Sequence, residues 1–240
     1  MSKTKKKRTS GVDRRQQLFN EGQKGPIAKI QVSTERIFQL NGVLFDIDPP
    51  LYKKGVVLPK FTLDPRQFYR RYLKHWLDRN PTLAKCHVRM TGTGLHAILW
   101  FVNPVELITD ADRVSWAAKS EVIQAALPID PDQPGITATT RAIGSINSKN
   151  DERVVGLRRG TLVSQEEVED LFDQMVSSPF KTVMNVLTGE DKLSPCPVCG
   201  TDSSQLRALD HAGSCYGSCG RIKLQDLYDL VLAPRKQDKK

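Results

Sequence analysis

The order of segments along the chain predicts an α+β fold, an antiparallel sheet with helices packed on it, followed by a small C-terminal zinc ribbon. Three observations carry this. A β-rich stretch lies near the start, a well-capped amphipathic helix leads into two strand-like runs around a glycine turn, and two close cysteine pairs stand near the end.

Residues 1–26 are polar and charged, with Lys3, Lys5, Lys6, Lys7, Arg8, Arg14 and Arg15, and end at Gly25-Pro26. They have no sustained apolar period and are expected to form a basic flexible arm. From Ile27, "IAKIQVS" and "RIFQLNGVLFDID" carry the β-branched and aromatic residues of strands, and Pro49 and Pro50 stop the ladder. Asp64 then caps a helix with Pro65 at its first position. Phe68, Tyr69, Tyr72, Leu73, Trp76 and Leu77 recur there at helical spacing. Phe68, Tyr72 and Trp76 share one stripe, which assigns them to the core and not to a base-stacking platform. "KCHVRM" and "LHAILWFV" flank "TGTG" at 91–94 and predict a hairpin.

A second helix is expected over 111–126, and a third from Ser164, where Glu167 completes a capping box. Between them, "IDPDQPGITATTRAIGSINSKN" is too rich in turn formers for regular structure and long enough to be functional. After "VSSPFK" a loose segment is expected to lead to the cysteines, and "LQDLYDLVL" is a short helix. The expected organisation is a basic arm over 1–26, a main domain over 27–180, a zinc-ribbon module with its helix over 190–233, and a basic tail over 234–240.

With 240 residues, 39% hydrophobic and 26% charged, the chain suits one main domain and a minor one. The net charge of +9 is crowded toward both ends. A positive surplus attracts polyanions, nucleic acid first, although basic tails also serve solubility. No window approaches the roughly 18 apolar residues of a membrane span, and the N-terminus lacks the apolar stretch of a signal peptide. A cytoplasmic location is therefore expected, where five cysteines are better explained by metal than by disulfides.

Asp46 and Asp48 are two residues apart in a strand, so their carboxylates project to one side. Either a hard divalent cation lies between them, or they meet water where the strand ends. In "RMTGTGLHAILWF", Gly92 and Gly94 allow a tight turn whose N–H groups can face a phosphate, and His96 follows on an apolar strand, where a half-buried structural histidine is the plainer alternative. Arg141, Asn147 and Lys149 are donors suited to phosphate oxygens, or belong to a solvated loop.

In this order, "FDID", "TGTGLH" and "IDP" followed by "TRAIGSINSK" resemble the three motifs of the archaeo-eukaryotic primase superfamily, especially primase-polymerases and the replication primases of plasmids and viruses. The resemblance spans roughly residues 35–160. Ile143 stands where many relatives have proline, and Ala138 or Thr139 where a second arginine is common. The resemblance implies an RRM-like sheet and a two-metal nucleotidyltransferase site. Asp46, Asp48 and Asp130 would hold Mg²⁺ or Mn²⁺, with Asp132 the alternative third acid. His96 would contact the triphosphate of an incoming NTP or dNTP. Gly92, Gly94, Arg141, Asn147 and Lys149 would complete the nucleotide site, and the template would be single-stranded DNA. With no G-x-x-x-x-G-K loop present, unwinding would need a separate helicase.

Cys196 and Cys199 in "CPVCG", with Cys215 and Cys219 in "CYGSCG", match a structural Zn²⁺ site of ribbon type, His211 being a possible substitute ligand. The cluster also looks like the primase zinc-binding type. Such a ribbon either presents Arg207, Arg221 and Lys223 to nucleic acid or only stabilises the fold. Cys86 is expected in the core. The leading expectation is a primer-synthesising enzyme. The alternatives are a catalytically inactive replication initiator or regulator of the same fold, and a nuclease or sugar-nucleotide transferase using D-x-D.

Overall fold

The computed structural model describes residues 34–47, 64–129, 135–147 and 150–232. The 1–26 arm, the strand expected in "IAKIQVS", the double proline and the 234–240 tail lie outside the described residues.

The chain forms strands β1 (Gln39–Ile47), β2 (His87–Met90), β3 (Leu95–Glu106), β4 (Ile146–Asn147), β5 (Glu152–Arg153) and β6 (Val155–Arg158). The main sheet has the order β1-β3-β2-β6, with every neighbouring pair antiparallel. β2 and β3 are the expected hairpin. β6 is a strand the sequence did not announce: "VGLR" is only four residues long, carries a glycine, and pairs with the edge of β2.

Alternation divides the sheet into two faces. Val43, Phe45 and Ile47 of β1 lie opposite Leu99, Ala97 and Leu95 of β3, and all six belong to one core shared with the helices. Helix α1 begins at the predicted cap, where the Asp64 carboxylate accepts the N–H groups of Arg66 and Gln67 at 2.9 and 3.2 Å. It runs through Pro65–Phe68, a wider π turn over Tyr69–Leu73, and Lys74–Asp78. Phe68 and Trp76 are buried and Tyr72 packs against them, their ring centroids 5.6–6.1 Å apart. That is the core stripe the spacing predicts. Cys86 is fully buried, as expected.

Helix α2 (Asp110–Gln124) opens on a capping box between Thr109 and Asp112, and α3 (Gln165–Ser177) on the predicted Ser164–Glu167 box. The next segment corrects an expectation. In place of a loose linker, Pro179–Thr188 is a helix, α4, with Phe180, Val183, Met184 and Leu187 buried. Proline at the first helical position starts the helix instead of breaking it, and those four residues recur at helical spacing.

A second antiparallel sheet follows, made of β7 (Lys192–Leu193), β8 (Leu206–Ala208), β9 (Gly213–Cys215) and β10 (Gly220–Ile222), in the order β10-β9-β8-β7. Helix α5 (Leu224–Leu232) comes after it. This sheet rests on α4. The Phe180 ring packs so closely that a Cβ on Gly213 would stand 2.6 Å from it, and Phe180 N–H donates to Asp210 O at 2.9 Å. Arg79, just past the end of α1, donates to Leu187 O at 2.6 Å, tying the far end of α4 to the first helix. Tyr228 of α5 donates its hydroxyl to the carbonyl of Ala125, just past α2. Buried residues of the main sheet, the helices and the cysteine region form one continuous core. Among the described residues, no helix is long and apolar enough to cross a membrane.

Candidate functional site

On the sheet face turned away from the core, register brings three separate stretches together. Asp46 of β1 is paired directly with His96 of β3, and His96 is paired on its other side with Arg89 of β2. In an antiparallel ladder, directly opposed residues share a face, so carboxylate, imidazole and guanidinium stand in one row. His96 Nε2 lies 3.5 Å from Asp46 Oδ1, with the His96 side chain 7% exposed and that of Asp46 31%. On the other edge of the imidazole, Nδ1 is 2.9 Å from Thr140 Oγ1. An ionised carboxylate can only accept, so the ring that satisfies both contacts carries its proton on Nε2 and accepts the Thr140 hydroxyl at Nδ1. Burial, and then the charges of Arg141 and Arg89, lower the pKa of His96 to about 4, so the ring is neutral at pH 7.

The irregular connection reaches this row because it is pinned at several points. Arg89 Nη1 donates to Arg141 O at 2.8 Å. Asn147 is buried and donates its amide to the carbonyl of Thr91, tying the connection to the hairpin turn. β4 and β5 close into a small hairpin, which leads straight into β6 and so into the main sheet. Asn147, expected among the phosphate donors, thus has one amide N–H committed to positioning. Gly92 adopts φ +114°, and a Cβ there would stand 2.1 Å from Asn150 Nδ2, so the turn and the connection fit only around a glycine. Asp48, Asp130, Asp132 and Lys149 lie outside the described residues.

Arg89 and Thr140 are site residues that the quoted stretches contain but that were not among the expected ones. The available signal for Arg89 was register: with the hairpin turn at 91–94, Arg89 must face His96. Its guanidinium lies 5.7 Å from the centroid of the Trp100 ring, and its Nε is buried with no hydrogen-bond partner among the described residues. Burial also lowers the pKa of Arg89. His87 Nε2 is likewise buried and unpartnered there.

The cysteine region forms a second centre. The Sγ atoms of Cys196, Cys199, Cys215 and Cys219 all lie within 4.8 Å of one another, and Cys199 and Cys215 are 3.8 Å apart. Four thiolates about 2.3 Å from a tetrahedral zinc ion sit about 3.8 Å from each other, so the set fits Zn²⁺. His211 is exposed and outside this set. Gly217 N–H points at Cys215 Sγ, 3.2 Å away, and a Cβ on Gly217 would press within 2.9 Å of Ser204 Cβ and 3.3 Å of Cys199 Sγ. Ser204 Oγ lies 3.1 Å from Cys199 Sγ, and hydrogen bonding to this hydroxyl draws the Cys199 thiol down to about 5. Burial, and then the sulfurs of Cys199 and Cys215, push Cys219 up to about 12. Sulfurs this close ionise together only around a cation.

No protein-family model and no curated protein matches the chain. Among solved structures, the AEP domain of the cyanophage S-2L primase-polymerase (PrimPol) is similar, with a TM-score of 0.39 and 15% sequence identity. The match covers 58% of this chain and 64% of that domain, so the chain spans less than two thirds of its length.

Proposed function

We propose that the protein is a metal-dependent nucleotidyltransferase of the primase or primase-polymerase type, making or extending primers on single-stranded DNA. The observation that carries this is the convergence of the three motif stretches. Asp46 from "FDID" lies beside His96 from "TGTGLH", and Thr140 and Arg141 from the "TRAIGSINSK" region close over them. A nuclease or sugar-nucleotide transferase using D-x-D needs neither the glycine-histidine turn nor the arginine segment.

In this reading Asp46, with Asp48 and Asp130, holds Mg²⁺ or Mn²⁺. The bound metal supplies positive charge to a primer 3′-hydroxyl and a departing pyrophosphate. The residues of the chain bind and orient. Neutral His96, its proton directed by Thr140, offers an N–H to an anionic group beside Asp46. Arg141 and Lys149 add positive charge for the triphosphate, and Arg89 fixes the backbone of Arg141. The four cysteines hold structural zinc, with no open position for chemistry. The division into a catalytic part over 27–180, RRM-like in its sheet, and a ribbon over 190–233 belongs to the same proposal, as do a cytoplasmic location and a separate helicase.

The test is primer synthesis on single-stranded DNA with labelled NTPs or dNTPs and Mg²⁺ or Mn²⁺, comparing wild type with an Asp46→Ala, Asp48→Ala double variant. Product from the wild type alone is expected. No product from either, with DNA still bound, would replace the enzyme by an inactive replication initiator of the same fold.

A further inference from the structure

Arg89 stands beside His96 in the row, and only part of its guanidinium is used. Nη1 donates to Arg141 O at 2.8 Å, and the head group leans on Trp100, its Cζ 5.7 Å from the ring centroid. Nε is buried without a partner, and Nη2 makes no hydrogen bond among the described residues. The N–H groups of Nε and Nη2 run parallel along one edge of the planar head group. That edge is a fork matched to two oxygens of a phosphate or carboxylate. A buried donor without an acceptor is unfavourable, and folded proteins seldom keep one without a reason.

The surroundings do not fill the fork. Among the described residues no carboxylate pairs with Arg89, and the residue opposite it on β6 is Gly156, which supplies no side chain. Across the strands the order is Asp46, His96, Arg89. With strands about 4.8 Å apart, Asp46 and Arg89 begin about 10 Å from each other, with the imidazole between them. Trp100 follows His96 by four residues on the same face of β3, so the head group lies along the sheet, away from Asp46. In that position Nε is closed to solvent. An anion can be taken by the whole fork only when the head group turns off the indole.

We infer that Arg89 grips the two outer phosphates of an incoming nucleoside triphosphate, side-on through Nε and Nη2, after turning from Trp100 toward His96. The inference rests on the nucleotidyltransferase reading, which sets the reacting phosphate beside Asp46. The other two phosphates then extend across His96 to the arginine end of the row. The Nη1 bond to Arg141 O is the pivot, so phosphate capture and the position of the Thr140–Arg141 backbone are coupled. Arg89 thus reads the length of the phosphate chain, and Trp100 holds the arginine when no nucleotide is present.

The experiment is calorimetric titration of the full chain in Mg²⁺ buffer with 3′-deoxyadenosine and 2′,3′-dideoxyadenosine mono- and triphosphates, which lack the 3′-hydroxyl and cannot be joined. Wild type should bind a triphosphate more tightly than the monophosphate. Arg89→Lys and Arg89→Gln should lose roughly 10–100-fold in triphosphate affinity and keep that for the monophosphate, because the fork is gone while the Asp46 end is intact. Equal weakening of both ligands overturns the inference and leaves Arg89 a support for the loop, and wild-type affinities in both variants overturn it too. A wild type that binds no nucleotide refutes the nucleotidyltransferase reading itself, and the inference falls with it. Inorganic pyrophosphate should change the tryptophan emission of the wild type, and Trp100→Phe should abolish that change. Should the arginine variants fail to melt like wild type, this emission decides: no response to pyrophosphate, or one that persists without Trp100, refutes the turning arginine.

Discussion

Phe180→Ala tests whether the cysteine-bearing sheet and the helical layer fold as one unit. Phe180 of α4 is fully buried against Gly213 of β9, and its ring fills the space that a Cβ on that glycine would enter. Truncating a buried phenylalanine costs about 3–5 kcal/mol through lost transfer energy and the cavity left behind. For a chain of this size each kcal/mol moves the midpoint by about 2–4 °C, so the transition should fall by roughly 6–20 °C. Two probes sit on opposite sides of the substitution. The three tryptophans, Trp76, Trp100 and Trp116, report the helices and main sheet, and zinc release to a coloured chelator reports the four cysteines. In the wild type both signals should change at one temperature, and Phe180→Ala should move them together. Zinc leaving early while the tryptophan transition stays in place would refute a single cooperative unit.

Gly92→Ala should reduce nucleotide binding and lower stability, because the residue must hold φ +114° with Asn150 where its methyl would go; a melting curve and a nucleotide titration check both. At high pH a different pair of groups acts. Burial raises the pKa of the Tyr228 phenol and of the Cys86 thiol, so the native state holds these protons more tightly than the unfolded chain. Their contribution is complete below their unfolded values, about 8.5 for the thiol and 10 for the phenol, and is lost progressively as pH rises from those values toward the raised native ones. Urea midpoints from pH 8 to 11 should fall accordingly, and Tyr228→Phe should flatten the part above about pH 10.

Local signals carried much of the fold. The Asp64-Pro65 start, the Ser164–Glu167 box, the glycine turn and the cysteine spacing each act within a few residues, and each reappears in the structure. What was not legible depends on partners far away in sequence. β6 becomes a strand only because β2 offers an edge, and α4 was hidden by a Ser-Ser-Pro run that resembles a loop until the proline is counted as a helix start. The site divides in the same way. Asp46 and His96 stood out as motif residues, but their contact is a matter of register. Arg89 and Thr140 entered through hydrogen bonds spanning 52 and 44 residues, a distance no short motif encodes.

The bond from Tyr228 to Ala125 joins residues 103 apart, with all four cysteines lying between them in the chain. On a ribosome the end of α2 is made long before its clasp arrives, and the clasp emerges only after the last cysteine has been added. All four cysteines of the cluster therefore emerge ahead of the final closure in the order of synthesis. Until that clasp closes, the end of α2 stays uncovered, and such half-closed chains are the natural targets of chaperones and proteases.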